Sequence, residues 1–243
     1  MQFPDTHPVF GPFATVVAAV LFGYALLVEP FWGRHVYRRL KRRRADDPMA
    51  LVRVYRLAIG TQWTWTALIL VAVAVAPRLR FRDLGVRLPR ADPFAYGLAG
   101  ALVVVMVVTT FAWRAAARQG TPIPGQENIA AMLPRTTGER RYAAAAALTA
   151  GVCEEWLFRG FFIAAGIGVL RLPAAVAVVV SVVVFALAHL YQGWRGMIGV
   201  TAITVVFTLL YVRSGSLLLP VVLHVVTDLR GLLLVPAARS AEE

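Results

Sequence analysis

The sequence predicts an all-α integral membrane protein with about seven transmembrane helices. Of its 243 residues, 59% are hydrophobic and only 16% are charged, whereas soluble proteins are roughly 45 to 50% apolar and about 25% charged. Several stretches of about 17 to 25 residues carry few or no charges, which is the length a helix needs to cross a bilayer. A lipid-exposed backbone must form its hydrogen bonds within the segment, so these stretches are expected to be helices.

The first three predicted spans are separated by polar connecting segments. The connection Arg34 to Pro48 is basic and then acidic, and Pro77 to Pro93 is rich in arginine. The segment 120–138 contains three prolines and three glycines, which are typical of loops. These signals place the first three spans at about 10–29, 57–76 and 94–113.

The last four predicted spans follow one another with short connections. The fourth contains the alanine run Ala143 to Ala147, a strong helix former. The valine-rich run Val176 to Val184 would favour a strand in water, but a strand alone in lipid leaves its backbone unpaired. These spans are predicted at about 142–165, 172–190, 197–212 and 216–235.

The basic residues lie mainly between the apolar runs. The net charge of +12 would suggest a nucleic-acid partner in a soluble protein, but here we expect contact with the bilayer surface and no nucleic acid. Lys and Arg are more numerous on the loops after spans one, three, five and seven, which predicts an N-terminus outside and a site toward the cytoplasm of a plasma-membrane protein. The seven cationic side chains from Arg34 to Arg44 are expected to be solvated at a helix end.

Three charged residues fall within the fourth span, where each one is costly. Glu155 and Arg159 are four residues apart and can form a buried ion pair on one helix face. Glu154 is rotated away from that pair and lies roughly 18 Å deep by helix rise. A desolvated, unpaired carboxylate is suited to accept a proton from water, which makes Glu154 a candidate general base.

Two histidines and one aspartate also lie at membrane depth. His189 closes the fifth span, and His224 and Asp228 share one face of the seventh. Each could be a satisfied polar group between helices. Together with Glu154, however, they are sufficient to activate water and stabilise an oxyanion.

Three motifs in chain order carry a family resemblance. They are Glu-Glu-x-x-x-Arg at 154–159, Phe-x-x-x-His at 185–189 and His-x-x-x-Asp at 224–228. This ordered set resembles the CAAX protease and bacteriocin-processing (CPBP) family of intramembrane endopeptidases, in particular the type II CAAX prenyl endopeptidases. The resemblance implies one membrane domain over 1–243, with helices and loops in 1–141 and a four-helix catalytic core with an internal cavity in 142–235.

The resemblance also implies roles for individual residues. Glu154 would be the general base, assisted by His189. Glu155 and Arg159, supported by Phe185, would be the orienting pair, and His224 with Asp228 would stabilise the oxyanion. Prenyl proteases more commonly have Asn at the last position. Because an ionised Asp cannot donate a hydrogen bond, Asp228 would be protonated, or would orient His224, or the reaction differs.

A metal is expected not to be obligatory. Glu154, His189, His224 and Asp228 could supply nitrogen and oxygen ligands to zinc, but the motif His-Glu-x-x-His is absent from the sequence. Zinc therefore remains an option rather than a requirement.

The expected function is hydrolysis of a peptide bond in a membrane protein or lipidated peptide. Two other classes stay open: a proton-coupled transporter, which also buries Glu, His and Arg, and a non-catalytic membrane scaffold or immunity protein. Gly193, Gly196 and Gly199 recur every third residue, a pattern that either forms a flexible turn or allows close approach of two helices.

Overall fold

The computed structural model describes residues 8–235, and within them the all-helical prediction is confirmed. All the regular elements of this range are α, 3-10 or π-helical, with no strand. The α-helices are α1 (Pro12–Gly23), α2 (Glu29–Arg43), α3 (Ala50–Val75), α4 (Pro93–Arg118), α5 (Thr137–Glu154), α6 (Ile163–Gly168), α7 (Ala174–Ala188), α8 (Gly193–Ser214) and α9 (Leu218–Leu229).

Three π-helical segments join or extend these helices. Tyr24–Val28 connects α1 to α2, Glu155–Phe162 connects α5 to α6, and Arg230–Leu234 continues α9. The described residues therefore form seven continuous helical rods, one for each predicted span. π-helical turns occur frequently at functional sites. Tyr24–Val28 directly precedes Glu29, Glu155–Phe162 directly follows Glu154, and Arg230–Leu234 begins two residues after Asp228.

Four helices are long and apolar enough to cross a membrane. They are Pro12–Arg43, Ala50–Val75, Pro93–Arg118 and Leu190–Ser214. Large apolar side chains on their outer faces, such as Val104 and Phe111, are exposed, as expected for contact with lipid. These helices support an integral membrane protein, while the count of about seven spans stays a prediction.

The first two spans differ from their predicted ends. The first helix continues past residue 29 to Arg43, and α3 begins at Ala50 rather than near residue 57. Much of the predicted connection Arg34 to Pro48 is therefore helical. It folds this way because Tyr37 and Leu40 of α2 pack against a cluster that includes the start of α3 and part of α5.

Arg44 corrects the expectation that the whole basic run is solvated. Its side chain is 7% exposed and forms an ion pair with Glu139, with Nη1 2.7 Å from Oε1 and Nη2 2.8 Å from Oε2. The same guanidinium donates to the carbonyl oxygens of Ala131 and Leu133. Arg44 thus fixes the turn after α2 to the start of α5.

Helix α5 packs most extensively against α3 and α9. The contact with α9 is made at Gly151, where a Cβ would lie 2.7 Å from the backbone nitrogen of Val225. At Gly193 and Gly199 a Cβ would meet nothing within 4 Å, so a close approach at these two glycines is wrong, whereas a Cβ on Gly196 would lie 2.5 Å from Cβ of Gln192 and 3.5 Å from Cβ of Asn128. Gly193 instead has φ +72° at the turn that begins α8, a conformation that glycine adopts readily.

Candidate active site

A cavity of about 410 Å³ lies among α2, α3, α5, α7, α8 and α9. The predicted site residues that line it are Glu154, Phe185, His189, His224 and Asp228. The structure thus brings the four proposed catalytic residues to one internal space. The walls contributed by α2 and α3 lie outside the predicted four-helix core of 142–235.

Glu155 and Arg159 stand behind this cavity as a fully buried ion pair. Their side chains are 0% and 1% exposed, and Nη1 of Arg159 lies 2.8 Å from Oε1 of Glu155. The same Oε1 atom is 2.8 Å from Nδ1 of His224. Two donors from different helices therefore converge on one carboxylate oxygen, which ties α9 to the helix that carries Glu154.

The guanidinium of Arg159 also has partners on two other helices. Nη2 donates to the hydroxyl of Thr204 on α8 at 3.1 Å, and the guanidinium lies 4.4 Å from the centroid of the Phe185 ring on α7. A buried charge needs compensating partners. These contacts join Arg159 to α7 and α8, while Glu155 joins the same ion pair to α9 through His224.

One carboxylate oxygen of Glu154 accepts a hydrogen bond, and the other has no hydrogen-bond partner among the described residues. Nε2 of Gln62 on α3 donates to Oε1 of Glu154 at 2.8 Å, whereas Oε2 is buried without a hydrogen-bond partner among the described residues. Glu154 itself lines the cavity, and a cavity carboxylate with one unpaired oxygen is a candidate proton acceptor for a water molecule.

His189 has a defined tautomer. Its Nδ1 lies 2.9 Å from the carbonyl oxygen of Phe185, and because a carbonyl can only accept, Nδ1 must be the donor. In the neutral ring, Nε2 is then left as an acceptor. The imidazole stacks on the Phe185 ring, with the ring centroids 4.5 Å apart and the planes at 25°, which fixes its orientation at the end of α7.

His224 lies between two carboxylates. Its Nδ1 atom contacts Glu155, and its Nε2 atom is 3.7 Å from Oδ2 of Asp228. This second distance is too long for a hydrogen bond, and the Asp228 side chain is 33% exposed toward the cavity. The ring also stacks on Phe207 at 5.2 Å. His224 is therefore oriented by Glu155 and Phe207 and not by a hydrogen bond to Asp228.

The four side chains considered as zinc ligands, Glu154, His189, His224 and Asp228, are not arranged as a metal site. Within residues 8–235, no three His, Cys, Asp or Glu side chains are grouped so that they could hold one metal ion. One reason is that His224 directs Nδ1 to Glu155 rather than to a shared centre.

Two of the residues that line the cavity, Gln62 and Glu29, were not identified from the sequence. Gln62 stands in the polar string Thr61-Gln-Trp-Thr-Trp65 inside an apolar helix, and a buried amide in such a helix indicates a hydrogen bond to another helix. Glu29 also lines the cavity, but the sequence placed it at the end of a span. An acidic residue followed by continued helix would have marked it as internal.

A comparison with protein-family models matches residues 139–230 to the family described as type II CAAX prenyl endopeptidase Rce1-like. The matched segment contains Glu154, Glu155, Arg159, Phe185, His189, His224 and Asp228. The match confirms, for these residues, the resemblance carried by the three motifs, and it supports a membrane endopeptidase. No curated protein and no solved structure matches the chain.

Proposed function

We propose that the protein is a membrane endopeptidase that hydrolyses a peptide bond of a lipidated substrate with water activated by Glu154. The observation that supports this most directly is that Glu154, whose Oε2 has no hydrogen-bond partner among the described residues, lines a cavity that His189, His224 and Asp228 also line. The prenyl endopeptidase family matched by residues 139–230 favours a prenylated peptide as the lipidated substrate.

The proposed reaction begins with a water molecule between Glu154 and His189. Oε2 of Glu154 takes one proton from the water, while Nε2 of His189 accepts a hydrogen bond from it. The resulting hydroxide attacks the carbonyl carbon of the scissile bond and gives a tetrahedral oxyanion. Glu154 then returns its proton to the leaving nitrogen, so that the C–N bond breaks and a carboxylic acid and an amine are released.

Protonated His224 is proposed to stabilise the oxyanion. Both ring nitrogens are then donors: Nδ1 remains on Glu155, and Nε2 is available to the cavity. Asp228 balances the charge of the imidazolium and is not required to donate. This role removes the difficulty that an aspartate, rather than an asparagine, occupies the last motif position.

The cavity is proposed to open toward the cytoplasm. Its lining includes Gly33, Val36 and Tyr37 of α2 and Val54 of α3, which lie near the turn that follows the basic segment. Because basic loops are enriched on the cytoplasmic side, this end of the bundle is the cytoplasmic one in our proposal, in a plasma membrane.

The test is hydrolysis of a synthetic farnesylated peptide by the purified protein in water enriched in ¹⁸O. Direct attack by water predicts two peptide fragments, with one heavy oxygen in the new carboxylate detected by mass spectrometry. If no fragment forms while proteoliposomes of the same protein take up protons together with a solute, the transporter class replaces this proposal.

A further inference from the structure

Glu29 is a cavity carboxylate that the proposed hydrolysis does not use. It is the first residue of α2, directly after a π-helical turn, and it lines the cavity. It forms no ion pair within residues 8–235, and its Oε2 atom is buried without a hydrogen-bond partner there. The Tyr24 hydroxyl donates a hydrogen bond to the Glu29 carboxylate, but a hydroxyl carries no positive charge and so does not balance the charge of Glu29.

Aromatic rings accompany this carboxylate along the cavity wall. Helix α2 presents Glu29, Trp32, Gly33, Val36 and Tyr37 to the cavity, a spacing that puts them on one helix face. Trp65 of α3 lines the same cavity. A carboxylate next to aromatic faces is a combination that recognises positively charged groups, through a charge-assisted hydrogen bond and cation–π contact.

This part of the wall adjoins the proposed catalytic histidine. A Cβ on Gly33 would lie 3.7 Å from Oε1 of Glu29 and 3.9 Å from Cδ1 of Tyr191, so both groups border the same point. The Tyr191 ring is in turn 5.8 Å from the ring of His189. A group bound at Glu29 is therefore separated from His189 by a single aromatic side chain.

Among the described residues, no cationic side chain of the cavity lining is paired with Glu29. Arg230, which also lines the cavity, is engaged elsewhere: its guanidinium donates to Thr110 at 2.5 Å and to Thr109 at 2.6 Å and lies over the Trp113 ring. It forms no ion pair with Glu29.

We infer that Glu29 is a specificity-determining residue that binds a lysine or arginine side chain of the substrate, close in sequence to the scissile bond. The inference rests on the proposed endopeptidase function. It adds a charge requirement that neither the lipid group of the substrate nor Glu154 would create.

Binding of paired peptides tests the inference separately from proteolysis. The probes are fluorescein-labelled farnesylated peptides that carry lysine, or norleucine of nearly the same shape, at each position around the lipidated cysteine in turn. Fluorescence anisotropy with the Glu154→Gln protein avoids turnover. We expect lysine at one position to tighten binding by about tenfold or more, since hydrogen bonds to charged groups contribute about 1.5 to 3 kcal/mol.

A second substitution at Glu29 decides whether this carboxylate is the cause. The Glu29→Gln/Glu154→Gln protein should bind both peptides equally, and Glu29→Lys/Glu154→Gln should prefer a glutamate peptide. The matched control is Glu127→Gln/Glu154→Gln, because Glu127 is exposed and does not line the cavity; it should keep the lysine preference.

Equal binding of lysine and norleucine peptides at all positions would overturn the inference, even if the native protein cleaves both. A lysine preference that survives Glu29→Gln would do the same. Conversely, a lysine preference that depends on Glu29, without cleavage of any peptide by the native protein, would support the binding role of Glu29 and contradict the proposed hydrolysis.

Discussion

Gly151 lies against Val225 so closely that α5 and α9 meet backbone to backbone. A Cβ on Gly151 would be 2.7 Å from the nitrogen and 3.0 Å from the Cα of Val225. Glu154 and Glu155 follow Gly151 within about one helical turn, and His224 precedes Val225. The absence of a side chain at position 151 therefore allows His224 to reach Glu155.

Gly151→Ala should separate α5 from α9 and lower both stability and activity. Because the added carbon meets backbone, which cannot rotate away, we expect a loss of about 1 to 3 kcal/mol or more. Thermal unfolding in detergent and peptide cleavage measure the two effects. Gly97→Ala in α4 is the matched control, since a Cβ there meets nothing within 4 Å; it should be neutral or slightly stabilising. Equal behaviour of the two variants would contradict this role of Gly151.

Gln62→Leu should lower kcat and leave KM and the unfolding temperature nearly unchanged. Without Nε2 of Gln62, the Glu154 carboxylate is no longer held at Oε1. Loss of a hydrogen bond to a charged group predicts a decrease of about ten- to a hundredfold. Thr64→Val is a suitable comparison on the same helix, because the Thr64 hydroxyl is exposed and bonds only to its own helix at Gly60. A change confined to KM or to stability would show that Gln62 does not position Glu154.

Arg44→Gln should destabilise the protein far more than Arg53→Gln. Arg44 forms a buried bidentate pair with Glu139, and removal of one partner of a buried pair costs about 3 to 5 kcal/mol. Arg53 pairs with Asp47 and is 60% exposed, so its loss should cost about 0 to 1 kcal/mol. Chemical unfolding in detergent measures both. Similar losses in the two proteins would refute the structural importance of the Arg44 contact.

The same pair predicts a pH dependence at acidic pH. Glu139 precedes the predicted span 142–165. Burial alone would raise the pKa of its carboxyl group, but hydrogen bonds from Arg44 and from the Arg135 amide outweigh burial and lower the pKa below the ordinary 4.5. The stabilisation is therefore complete above about pH 4.5 and is lost as the pH falls through the lower folded pKa. Unfolding temperatures recorded across this range should fall more steeply for the native protein than for Arg44→Gln.

Chelation should leave the activity unchanged, because the proposed reaction has no metal step. Purified protein treated with a strong zinc chelator and then passed through a desalting column should keep its kcat/KM for the farnesylated peptide. Loss of activity that zinc restores, while apo protein remains folded, would contradict the proposed mechanism.

The motifs could be found from sequence because charges are rare in apolar helices. Glu154, Glu155, Arg159, His189, His224 and Asp228 stood out for this reason, and the i,i+4 spacing correctly indicated the Glu155 to Arg159 pair. The presence of the helices could also be predicted from the sequence, since long apolar segments that face lipid are stable as helices.

The contacts between distant helices could not be predicted in the same way. The spacing of His224 and Asp228 suggested that these two interact, yet Nδ1 of His224 bonds to Glu155, 69 residues earlier. Gln62 and Glu29 reach the cavity from α3 and α2, and Arg44 was one of seven similar cations. Such pairings depend on how the helices pack, which periodicity within one helix does not specify.

The matched pair Glu154→Gln and Glu155→Gln tests the proposed general base most directly. Both changes remove one charge with little change in shape, but Glu154 lines the cavity, whereas Glu155 neutralises buried Arg159. With the farnesylated peptide as substrate, Glu154→Gln should abolish turnover at an unchanged unfolding temperature, and Glu155→Gln should mainly lower that temperature. Full turnover by a folded Glu154→Gln protein would contradict the assignment of this residue as the base.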